Sequence, residues 1–199
     1  MGIKLAAASG GSIELVPTNT ASNYTVTVPA GTGTMVVSGA SSAITSGTAV
    51  ASTSGTSIDF TSIPSWVKRV TVMLSGVSTS GASNLQVQLG AGSVDTASYS
   101  SMVTLVSLTN NTTRGVAFTA GLGLTQGWGA SETLFGSLII SLVGSNVWVC
   151  SGTTYQPVSI NTNTSAGGKT LSGTLDRVRI TTVNGTDTFD AGSINILYE

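Results

Sequence analysis

Two acids, Asp187 and Asp190, flank Phe189 in the stretch TDTFDAG. Paired carboxylates can act as acid and base on a glycosidic bond. With backbone carbonyls they can also begin the oxygen shell of a calcium ion. Asp176 and Asp59 are the other acids that a fold could bring near them. Both acids follow a turn signal, Asn184-Gly185, and carboxylates there commonly bond turn amides. That is the reading adopted for them. The chain has no His, which removes a Ser-His-Asp triad, a Cys-His pair and the usual zinc sites. Its one cysteine, Cys150, ends the apolar run VWVC and reads as a small buried thiol. The glycines of GAGS and GLGLTQGWG lack the strand-to-helix context of a phosphate loop. No catalytic residue, cofactor or metal is therefore assigned.

Aromatic residues offer a second kind of chemistry, because apolar sugar faces stack on exposed rings. Trp66, beside Pro64, and Trp148, inside an apolar strand, read as core. Trp128 lies in TQGWGASE between glycines, without apolar neighbours, and is the first candidate for an exposed ring. Tyr155 in GTTYQPV is the second. Gln126 and Ser131 could bond sugar hydroxyls beside Trp128. The competing reading of Trp128 is a loop ring folded back onto the core.

What must position these residues is a chain of unusual texture. Hydrophobic residues make up 40% of the 199. Charged ones make up only 8%, against about 25% in ordinary domains. Net charge is −1, from seven basic and eight acidic residues. The bases are scattered rather than clustered, which argues against nucleic acid. Lys68, Arg69, Arg177 and Arg179 are read as solvated strand positions or as partners for Asp176 and Asp59. The apolar stretch LFGSLIISLVGSNVWVC is too short and interrupted to insert in a membrane. The opening MGIKLAAASGG is too weak for a signal peptide.

Alternation of apolar and polar residues marks strands. YTVTVP places Tyr24, Val26 and Val28 on one face. A strand from about Trp66 to Ser75 aligns Val70, Val72 and Leu74. NLQVQLG places Leu85, Val87 and Leu89 inward and Gln86 and Gln88 outward. Further strands are expected in SMVTLVSL, TRGVAFTAG, ETLFGSLIISLVG, VWVCSG, DRVRITTV and SINILYE, and VGSN is a turn between two of them. Asn184-Gly185 suggests a type I′ hairpin joining RVRITTV to the following stretch. No segment shows helical periodicity. The expected fold is all-β: an antiparallel, jelly-roll-like β-sandwich over 58–199. Residues 1–38 form a small β module too short to bury a core unaided. Residues 39–57, rich in Ser, Gly and Thr, read as a linker in which Ile44 and Val50 could dock.

Three of these segments carry a resemblance. GGSIELVPTNTASNYTVTVPAGTGTMVVSG resembles a short module found near the start of tailed-bacteriophage virion proteins. GTSIDFTSIPSWVKRVTVMLSGVSTSGASNLQVQLG and LDRVRITTVNGTDTFDAGSINILYE resemble a domain of phage tail-fibre and head-fibre proteins. Residues 91–170 match in texture only. The resemblance implies a structural, non-enzymatic virion protein, usually a homotrimer, assembled in the bacterial cytoplasm and anchored to capsid or tail proteins through residues 1–38. A head fibre or capsid decoration protein is the preferred form. The alternative is a tail fibre whose sandwich recognises a host surface glycan through Trp128, Tyr155 and Gln126.

Overall fold

The computed structural model describes residues 44–199 and the backbone of two strands near the start of the chain, β1 (Ile3–Ala6) and β2 (Ser12–Leu15). The chain divides into two compact units, Met1–Val36 and Val37–Glu199. In the first, β1 and β2 pair antiparallel, with Ile3 opposite Leu15 and Ala6 opposite Ser12. The strand expected at Tyr24, Val26 and Val28 lies outside the described residues.

The second unit is a two-sheet sandwich. In chain order its strands are β3 (Thr45–Ser46), β4 (Val50–Ala51), β5 (Ser57–Thr61), β6 (Arg69–Thr79) and β7 (Leu85–Ala91). There follow β8 (Ser93–Val94), β9 (Ser100–Ser107), β10 (Thr112–Phe118), β11 (Leu122–Gly123) and β12 (Leu134–Gly144). The last four are β13 (Val147–Gln156), β14 (Asn161–Thr170), β15 (Arg177–Thr182) and β16 (Phe189–Tyr198). The large sheet runs β10-β9-β14-β13-β12-β6-β16-β3, with β4 also on β16; the small one runs β11-β7-β15-β5, with β8 on β7. The chain passes back and forth between the sheets, while β9–β10 and β12–β14 stay within the large one.

The core forms where the alternating strands face each other. Val70, Val72 and Leu74 of β6 and Leu138 and Ile140 of β12 meet Leu85, Val87 and Leu89 of β7 and Ile180 of β15. All are buried, as the alternation requires. Trp148 and Cys150 join this core, and Trp66 packs against it with its ring 5.9 Å from that of Tyr198. Burial pushes the Cys150 thiol up to about 11.

Four expectations need correction. Gln86 and Gln88 do not face water: both are buried. The segment after β10 covers them, with Gln88 Nε2 donating to the Ala120 carbonyl at 2.9 Å and Gly121 pressed against Gln86. Residues 44–57, read as part of a linker in which Ile44 and Val50 could dock, are held on the sandwich, with Val50 packed against the core and Ile44 exposed. β3 and β4 pair with β16, and Ser52 Oγ donates to the Ala191 carbonyl at 2.8 Å. Asn184-Gly185 does not close a hairpin, because β15 and β16 belong to different sheets. Only Gly185 of the pair has positive φ (69°); Asn184 instead accepts the Thr186 amide at 3.1 Å on its side-chain oxygen. The two-residue turn with positive φ at both centres is Ser145-Asn146 (47° and 62°), between β12 and β13. Finally, β14 carried no signal. Its inward positions include Asn161, Asn163, Ser165 and Lys169, all buried and none apolar.

Candidate functional site

Trp128 is not an exposed ring. It is 5% exposed, and its indole Nε1 donates to Thr79 Oγ1 at 2.8 Å. Gly127, at φ 64°, lets the loop fold the ring back onto the core. The Trp128 amide donates to Asn84 Oδ1 at 3.3 Å. A tryptophan with its N–H satisfied in the core is a packing residue. Gln126 is half-buried; its amide donates to Asn163 Oδ1 at 3.0 Å. Its side-chain oxygen is enclosed and cannot reach a ligand from there. Tyr155 does reach the surface, on the outer side of β13 opposite Phe135 and Thr162.

The carboxylates are committed to structure. Asp187 accepts the Ser83 amide at 3.0 Å and the Asn184 side-chain amide at 2.7 Å. Asp190 accepts the Ser78 hydroxyl. Arg179 forks onto Asp59 at 2.7 and 3.0 Å, and Arg177 onto Asp176. The Arg177 guanidinium holds the Asp176 carboxyl below its usual range. Among the described residues no group of three His, Cys, Asp or Glu could hold a metal ion.

Two features remain that could engage a partner. The first is a pair of clefts at the end of the large sheet where the β9–β10 and β13–β14 turns lie side by side. The turns are tied together: the Leu108 amide donates to the Ile160 carbonyl at 3.2 Å and Thr109 Oγ1 to the Ser159 carbonyl at 2.7 Å. Ser159 in turn donates to Glu132. On the inner side a cleft of about 300 Å³ is lined by Arg114, Thr109, Asn110 and Ser159 over Leu105 and Val158. On the outer side one of about 390 Å³ is lined by Tyr155, Val106, Leu108 and Ile160. Arg114 makes no ion pair among the described residues. Sequence reasoning passed it over, yet it is the only charged residue between Asp95 and Glu132.

The second feature is the outer face of β10, β9, β14, β13 and β12. Strand register lays its residues out in rows across the sheet. Thr113, Val106, Thr162, Tyr155 and Phe135 form one row. Gly115, Thr104, Thr164, Thr153 and Ser137 form the next, and Ala117, Met102, Ala166, Ser151 and Ile139 a third. None of these residues is charged. Met102, Val106, Phe135, Ile139, Val149 and Tyr155 stand 40–53% exposed.

The comparisons with known proteins add no relative. The chain matches no family model, no curated protein and no solved structure. No helix among the described residues is long and apolar enough to cross a membrane.

Proposed function

We propose that this protein is a structural, non-enzymatic component of a tailed-bacteriophage virion, a head fibre or capsid decoration protein that works as an oligomer. The observation that carries the reading is the division into two units of unequal kind. The second is a sandwich with a full core of its own. The first spans 36 residues, below the roughly 40 at which a chain can usually bury a core unaided, and a partner surface would supply what it lacks. The resemblance of residues 10–39 to a virion module agrees with an anchoring role.

The test removes residues 1–38. The truncated protein should remain folded and oligomeric but fail to mount on particles. Truncated protein that still decorates particles sinks the anchoring role. Imaging of particles carrying the full chain then places it on the head, as preferred, or on the tail.

The paired clefts favour a second reading, a tail fibre that recognises a host surface glycan. Tyr155 and Arg114 would carry the recognition, Trp128 being enclosed. Tyr155→Ala and Arg114→Gln should each weaken attachment to host cells several-fold. Unchanged attachment by both variants removes this reading.

A further inference from the structure

We infer that the uncharged outer face of β10, β9, β14, β13 and β12 is the surface through which copies of this chain associate. The inference gives a location to the oligomerisation included in the proposal above and rests on that part of it.

Size is the first argument. Five strands spaced about 4.8 Å apart, over about eight residues at about 3.4 Å each, present roughly 650 Å². Stable protein interfaces cover about 600–1,000 Å² on each partner.

The face also suits a copy of itself better than other partners. A charged face meets like charge when it approaches its own copy, and this one has none to repel. Without Lys or Arg it has nothing to hold phosphates of nucleic acid or of anionic lipid. Its polar residues are chiefly Thr and Ser, whose hydroxyls cost far less to bury than charges and can bond across an interface. The rows alternate: an apolar row with Val106, Tyr155 and Phe135, a hydroxyl row with Thr104, Thr164 and Thr153, then an apolar row with Met102 and Ile139. Rows of the same kind lie about 14 Å apart, four residues along a strand. A second copy with its rows aligned would set apolar against apolar and hydroxyl against hydroxyl.

The test is made on the full chain by light scattering and sedimentation. The unmodified protein should be a dimer or trimer at micromolar concentration. Ile139→Lys and Thr153→Lys point outward from central strands, so each should leave the circular dichroism spectrum and the melting cooperativity intact. Together they should weaken association at least 100-fold. Ser93→Lys, in β8 of the small sheet, is the control and should change nothing. A monomeric unmodified protein overturns the inference. So does an oligomer that survives both central substitutions, because its contacts must then lie elsewhere. If the double variant loses function through misfolding, Thr164→Lys alone, judged by the same two readouts, decides. Particle mounting is read separately: a monomer that still mounts through residues 1–38 defeats this inference and leaves the anchoring role standing.

Discussion

At the scale of single residues, the fold hides groups that the sequence left ambiguous. Tyr99 shows how. Its hydroxyl receives the Leu89 amide at 2.7 Å and donates toward the Asp95 carbonyl at 3.0 Å. Burial pushes this phenol up to about 12, as it pushes the Cys150 thiol to about 11. In both cases the unfolded chain ionises first, from about pH 9 for the thiol and pH 10 for the phenol. Above that point the unfolded state holds fewer protons, so stability falls as pH rises. Urea unfolding at pH 8 and pH 11 should show the drop, and Cys150→Ala should remove part of it. Acid acts through Asp176, whose depressed carboxyl contributes stability above its unfolded value and loses it as pH falls toward the folded one. Because the pair is about one-third exposed, at 28% and 38% of its side chains, solvent screening keeps the contribution small. Trp128→Ala belongs at this scale too. It should cost about 3–5 kcal/mol in chemical denaturation, so a binding defect in that variant would report unfolding.

At the scale of elements, legibility depended on whether the inward positions were apolar. β6 and β7 announced themselves because Val70, Val72, Leu74, Leu85, Val87 and Leu89 alternate on one face. β14 did not, because its inward side chains are amides, a hydroxyl and an amine. Asn163 Nδ2 reaches Gln156 at 3.2 Å, and Lys169 lies between Asp95 at 3.0 Å and the Tyr99 ring at 5.0 Å. Hydrophobic periodicity is silent about such a strand, whose inward side chains are polar and not all partnered: Asn161 Oδ1 is enclosed without a hydrogen bond. The Ser/Gly/Thr stretch before β5 failed for a related reason. Its pairing partner, β16, lies more than a hundred residues away, and two-residue strands leave no period to read. The candidate site was legible only in Tyr155; the rows of the outer face need the register of five strands.

Bulges shape these elements. Gly136 and Gly192 sit where the register shifts along β12 and β16, at φ 132° and 92°. A side chain at either would strike backbone, Thr153 at the first and Gly76 at the second. Gly192→Ala should therefore cost more than about 2 kcal/mol, seen as a lowered unfolding midpoint without a change in slope. Ile160 presents the opposite case. It is β-branched, yet holds φ 51° in the turn after β13. Ile160→Gly should raise the midpoint, relieving about 1 kcal/mol of strain.

At the scale of the whole molecule, the sandwich is polarised. One sheet is short, and glutamines on its outer side are roofed by a loop. The other is broad, bare and uncharged over five strands. The large sheet's two edges are treated unequally. β3 and β4 cover β16 on one side, while among the described residues no strand pairs with the outer edge of β10 on the other. Removing residues 44–51 should uncover β16 and drive non-specific aggregation, measurable as turbidity at concentrations where the intact chain stays clear.

β6 lies inside the large sheet, between β12 and β16. Its residues wait for neighbours such as Ile140 opposite Val70 and Ile196 opposite Val72. Closure of the sheet thus joins segments far apart along the polypeptide, and chains of that kind gain structure slowly. Refolding should take milliseconds to seconds or longer. During that interval β6 would offer both its flanks to other nascent molecules, so yield at synthesis should depend on dilution and on chaperones.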